Sequence, residues 1–146
     1  MIHSQNEKVV ASVPTAAIGA TATATLTIDT LGYDAASIKV MRAGNASTVF
    51  ANVLKVEEGD TTSSYANVTA LVGDGAGGFT IPAAAGSTST TDIVKLDVDC
   101  RARKRYLKVS YTPGATATCG LVACLSRAEV SPENAAAAGV AALVNG

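Results

Sequence analysis

Apolar and polar residues alternate along much of this chain with the period of a strand that buries one face. Over residues 22–29 the alternation is unbroken: Thr23, Thr25 and Thr27 share one face, and Ala24, Leu26 and Ile28 the other. Leu31-Gly32-Tyr33-Asp34 reads as a turn, after which Ile38 and Val40 alternate with Lys39 and Met41. Residues 49–56 predict a third strand, with Phe50, Leu54 and Val56 inward and Lys55 outward. Residues 65–72 predict another, after which the Gly-rich run 73–78 delivers the chain into Phe79-Thr80-Ile81-Pro82. Then Val94, Leu96, Val98 and Cys100 alternate with Lys95, Asp97 and Asp99, and Leu107, Val109 and Tyr111 with Tyr106, Lys108 and Ser110. These last two runs predict a hairpin. Residues 119–125 are apolar on both faces, as a central strand would be.

Loops of Gly, Ser, Thr, Asp and Glu at 57–64, 73–78 and 83–91 separate these runs. Short strands punctuated in this way predict an all-β fold, a single antiparallel β-sandwich of jelly-roll type. Helix is expected only near the end, where Ser131 can cap, Pro132 takes the first helical position and Glu133 complements the dipole. Gly139 should stop that short helical turn, leaving Val140, Leu143 and Val144 as an apolar tail without a predicted intrachain surface. With 146 residues, the expectation is one domain over 1–146, an N-terminal arm at 1–20 and a C-terminal tail at 131–146.

Composition narrows the picture. Hydrophobic residues reach 48%, but much of that is Ala; Trp is absent and aromatics are 4%, so Val, Leu and Ile must carry the core. Such a core buries less apolar area per residue than an aromatic one, which favours assembly as a source of added burial. Charged residues are only 16%, with a formal net charge of −1. That balance argues against nucleic acid, which demands a basic excess. No apolar run is long enough to cross a bilayer, so no membrane partner is expected. Residues 1–8 show no basic head followed by an apolar block, so the expectation is no signal peptide and folding in the cytoplasm.

Candidate chemistry is sparse. Gly73, Gly75 and Gly78 fit G-x-G-x-x-G, yet Phe79-Thr80-Ile81-Pro82 follows where a dinucleotide site needs a helix. His3, the single histidine, would have to serve any Ser-His or Cys-His arrangement from near a terminus. Glu57, Glu58 and Asp60 around Gly59 could offer oxygen ligands to a hard cation, although a solvated acidic turn is the commoner outcome. Cys100, Cys119 and Cys124 lack metal spacing and read as reduced thiols, with a Cys100–Cys119 or Cys100–Cys124 bridge as the alternative. Asn45-Ala46-Ser47 and Asn67-Val68-Thr69 match glycosylation sequons, read here as turn chemistry. No catalytic residue, cofactor or metal is expected. The remaining charge feature is Arg101, Arg103, Lys104, Arg105 and Lys108; pairing with Asp97 and Asp99, within or between subunits, is the expected use.

Four stretches carry a resemblance. They are Ile28-Asp29-Thr30-Leu31-Gly32-Tyr33-Asp34, Leu54-Lys55-Val56-Glu57-Glu58-Gly59-Asp60, the run from Val98 through Arg101-Ala102-Arg103-Lys104-Arg105-Tyr106-Leu107 to Lys108, and Leu125-Ser126-Arg127-Ala128-Glu129. In order and spacing, over roughly 28–144, the chain resembles capsid decoration (cement) proteins encoded among the head genes of tailed bacteriophages. The R-x-R-K-R-Y-L run is the most specific part; Cys100 stands where that family more often has an aliphatic residue. The resemblance implies a non-enzymatic virion protein on the capsid surface, with the major capsid protein as partner. A homotrimer is expected, with interface candidates Arg101, Arg103, Lys104, Arg105, Val140, Leu143 and Val144. Alternatives are a neck, tail or head-fibre component, or a carbohydrate-binding adhesive β-sandwich, for which a chain without Trp is poorly equipped.

Overall fold

Eight strands form in chain order: β1 (Lys8–Ser12), β2 (Ala24–Asp29), β3 (Tyr33–Arg42), β4 (Ala51–Gly59), β5 (Ala66–Val72), β6 (Asp92–Asp99), β7 (Tyr106–Pro113) and β8 (Cys119–Ala128). They make two four-stranded sheets, ordered β1-β8-β3-β6 and β2-β7-β4-β5. Every pairing is antiparallel. This computed structural model describes residues 6–12 and 17–144. The chain changes sheet at every connection except β4 to β5, which is the connectivity of a jelly roll. The expected antiparallel sandwich is therefore the fold.

The inward positions of the alternating runs meet between the sheets. Ile28, Ile38, Val40, Val56, Leu107, Val109, Leu121 and Leu125 are completely buried. Phe50 and Tyr111 form the aromatic contact of this core, with ring centroids 5.5 Å apart. The doubly apolar run at 119–125 is central, lying between β1 and β3.

Two local expectations are corrected. The hairpin between residues 94–100 and 106–111 does not form, because β6 pairs with β3 and β7 with β2 and β4. Alternation fixes which face is buried but leaves the neighbour open, and residues 100–105 are too long for a tight hairpin turn. Instead a 3-10 turn at Cys100–Ala102, capped by the Asp99 side chain, carries the chain across the sandwich. Between β5 and β6 the chain makes only isolated bridges, Gly73 with Phe79 and Val49 with Ala83. Pro82 has no N–H for a ladder. The stretch read as an arm contains β1, a strand that pairs with β8 over its whole length.

The C-terminal turn forms, with a different cap. Asn134 Oδ1 accepts from the Ala137 N–H at 2.9 Å, whereas Ser131 Oγ is turned to Asn6 Oδ1. Val140 N–H donates to Ala135 O and Gly139 N–H to Ala136 O, a Schellman closure with Gly139 at φ +70. The turn docks on its own chain: Ala138 is buried, and its carbonyl accepts from Val9 N–H at 2.8 Å on the outer edge of β1.

Because all strands run the length of the sandwich, their connections gather at two ends. The registers place 30–32, 60–65, 100–105 and 129–130 at one end. Residues 17–23, 43–50, 73–91 and 114–118 lie at the other.

Candidate interaction surface

The basic run Arg101–Arg105 lies at the first end, and each cation meets a carboxylate of its own chain. Arg101 forks onto Asp99, with Nε 2.9 Å and Nη2 2.6 Å from the two oxygens. Arg105 forks in the same way onto Asp29, at 2.9 and 2.7 Å, and lies over the Tyr106 ring. Arg103 Nη1 is 3.5 Å from Glu58, and Lys104 Nζ is 2.7 Å from Asp60. The basic run thus pairs with carboxylates within one chain. Of the two acids expected as partners, Asp99 takes Arg101 while Asp97 takes Lys95 at 2.7 Å. The Arg101 side-chain hydrogen bonds hold the Asp99 carboxyl down to about 2, and the Arg105 hydrogen bond likewise lowers Asp29.

These pairings also occupy the acidic turn. Glu57 sits on the outer face of the second sheet, 3.0 Å from both Lys55 and Lys108. Burial opposes its charge, yet hydrogen bonds from Lys55 and Lys108 outweigh that and keep its carboxyl below the usual range. Lys108 also lies 4.6 Å over the Tyr65 ring. Among the described residues, no group of three or more His, Cys, Asp or Glu side chains is placed to hold a metal.

The opposite end is built from other chemistry. Of its four connections, 17–23, 43–50, 73–91 and 114–118, only the third holds a charged residue, the exposed Asp74 on its flank. Their backbones interlock: Ala43 N–H donates to Thr118 O, Ala84 N–H to Thr48 O, and Ile18 and Ala117 exchange both hydrogen bonds. Asn45 Nδ2 reaches Thr116 O at 2.9 Å while Asn45 Oδ1 accepts from Ser47 N–H, so this sequon does serve a turn; Asn67 instead lies in β5. At Gly44 a Cβ would come 2.5 Å from Thr88 O, so loops 43–50 and 83–91 touch backbone to backbone. Ala46, Thr48, Val49, Thr88, Thr90 and Thr116 face solvent across the top.

Beneath this end lies a charged pair that pattern reading missed. Arg42 is completely buried. Its Nη2 donates to Ser47 O at 3.0 Å, and its Nη1 is 3.5 Å from Asp92 Oδ2. Asp92 Oδ1 in turn accepts from Ala85 N–H at 2.9 Å. One ion pair at the ends of β3 and β6 thereby holds two of these loops. The Tyr111 hydroxyl donates to Phe50 O at 2.9 Å nearby, and burial raises its pKa. Arg42 follows the inward parity of Ile38 and Val40, which is the one signal that could have flagged it.

The other sequence candidates are dispersed. Gly73, Gly75 and Gly78 form a tight turn in which Phe79 N–H returns to Val72 O; no helix follows. Cys100 and Cys119 are buried at opposite ends, Cys124 is half-buried on β8, and all three are free thiols. Burial pushes the Cys100 thiol up to about 11. Val140 is half-buried after the C-terminal turn, whereas Leu143 and Val144 are exposed and remote from the basic run in sequence. His3 lies outside the described residues.

No family model matches the chain, and no curated protein matches it. Among solved structures the chain is similar to PRD1 vertex protein P5, at 13% identity, covering 84% of this chain and 96% of that chain, with a TM-score of 0.44. A likeness at that score carries no argument, and the architecture above stands on its own strand order.

Proposed function

We propose that this chain is a non-enzymatic virion structural protein that decorates and stabilises the outside of a phage capsid, with the major capsid protein as its partner. The phage assignment is carried by the R-x-R-K-R-Y-L run and the three motifs that accompany it in order. Fold alone would not separate a virion role from a lectin one, since jelly rolls serve both. The geometry supports work by surface contact: the conspicuous charged side chains pair with one another, and one end is a prebuilt loop surface whose single charge is Asp74 on its flank. Binding only the assembled shell would stabilise that state by mass action, and many copies would add their effects across it.

The subunit is proposed to act as a homotrimer, which closed cyclic symmetry and a core poor in aromatics favour. Quantitative mass spectrometry of purified virions tests the reading. Decoration requires a copy number comparable with that of the shell protein, whereas a neck or tail part would be present in a small fixed number. A chain absent from the particle would end the proposal. Sedimentation of the free protein showing monomer alone at micromolar concentration would remove the trimer.

A further inference from the structure

We infer that the charge-poor loop end, and not the basic run, is the surface that seats on the capsid, and that it meets an uncharged patch of protein there. This inference rests on the virion reading above and goes beyond it by naming the contact.

The argument begins with charge complementarity. Loops 17–23, 43–50, 73–91 and 114–118 bring a single formal charge to their end of the sandwich, Asp74, which lies on its flank. A charged group on a partner seated across Ala46, Thr48, Thr88, Thr90 and Thr116 would lose its water on contact and find no counter-charge among them, which is costly. The fitting partner face is therefore neutral. Phosphate is excluded by the same reasoning, because these loops supply no cation and the nearby Arg42 is completely buried. A sugar would need an exposed aromatic platform, and of the aromatics in these loops Phe50 is buried and Phe79 is half-buried against the core.

The second strand of the argument is preorganisation. A surface whose loops are already fixed loses little conformational freedom on binding. Here Gly44 against Thr88, Asn45 on Thr116 and the Arg42–Ser47 and Asp92–Ala85 contacts fix the loops before any partner arrives. A groove of about 230 Å³ runs down one flank between Thr48, Val49, Pro82 and Ala83. Val49 stands 48% exposed beside it. Its one charged wall, Asp74, already accepts a hydrogen bond from Ile81 N–H at 3.0 Å. The first end, by contrast, carries exposed charges of both signs, suited to face solvent.

The experiment uses the full chain and capsid shells of its own virus stripped of it. Ala46→Glu and Thr90→Lys place charges of opposite sign on exposed positions of the charge-poor end; Lys104→Glu does so at the other. Urea midpoints matching wild type establish that each variant folds. Expected is a loss of affinity of about tenfold or more for both loop variants, unchanged binding by Lys104→Glu, and little dependence of wild-type affinity on salt. Loop variants that bind like wild type, or a loss confined to Lys104→Glu, overturn the inference while leaving decoration intact. Wild-type protein that never binds the shells removes the virion reading and this contact with it. If the loop variants instead break up an oligomer of the free protein and bind shells normally, the end is a contact between copies and the inference is wrong.

Discussion

At one end of the sandwich Arg105 forks onto Asp29 in view of solvent; at the other Arg42, wholly buried, reaches the carbonyl of Ser47 from below. The first arrangement repeats along the whole 100–105 crossover, and each pair is exposed enough for water and salt to compete with it. The second occurs once, and the loops above it are held by backbone hydrogen bonds and close glycine contacts. The charge-rich end is thus the more conspicuous in sequence and the more weakly fastened. The charge-poor end has little to announce it and is the better candidate for a rigid template.

The sharpest way to break this comparison is to remove the buried cation. Arg42→Ala leaves Asp92 with no partner charge and a void beneath two loops; a loss of about 3–5 kcal/mol in urea-determined stability is expected. Replacing the pair together, as Arg42→Met with Asp92→Leu, should recover much of that loss. A double variant as unstable as Arg42→Ala would show that the ion pair is not what Arg42 contributes. Next in size is Gly44→Ala, whose Cβ would press against Thr88 O at 2.5 Å. Overpacking against backbone predicts a cost of about 1–3 kcal/mol, and an unchanged urea midpoint would show the two loops to be separable. At the other end, Arg105→Ala should leave the midpoint within error, because its side chain is exposed and water competes with the Asp29 pair. A loss there approaching that of Arg42→Ala would reverse the ranking of the two ends.

How much of this was legible in the chain differs between the ends for the same physical reason. Strand alternation is a local property, so β2, β4 and β8 could be read directly, and Phe50, Leu54 and Val56 fall inward as their spacing requires. Partner choice is non-local, so β6 and β7 looked like a hairpin and were assigned to different sheets only by the assembled fold. β1 was missed because Lys8-Val9-Val10-Ala11-Ser12 has no alternation; it becomes a strand by pairing with β8 and receiving Ala138 on its edge. The basic run could be seen as a cluster, and its pairing with Asp99 followed from proximity in sequence. Pairing with Asp29, Glu58 and Asp60 depended on distant strands. The charge-poor end had no motif to find. Its signal was the scarcity of charge, Asp74 alone, in four separate segments, which gains meaning only once the jelly roll brings them together.

The smallest effect expected is an acid response confined to one end. Hydrogen bonds from Arg105, Lys95 and Arg101 hold the carboxyls of Asp29, Asp97 and Asp99 below their ordinary value, Asp99 at about 2. Between the ordinary carboxylate range near about 4 and that lower limit, the unfolded chain binds more protons than the folded one. The stabilisation from these groups is therefore present above that range and is lost as pH falls through it. Two backbone amides report the loss directly: Leu31 N–H donates to Asp29 Oδ1 and Arg101 N–H to Asp99 Oδ1, each at 3.1 Å. Their NMR chemical shifts should titrate in this acid window, Leu31 before Arg101 if the Asp99 fork is the tighter one. Ala84 and Ala117, whose amides donate to backbone carbonyls at the charge-poor end, should not move with them. Amides at both ends titrating together would mean that acid loosens the sandwich as a whole, and the two ends could then not be treated as independently fastened.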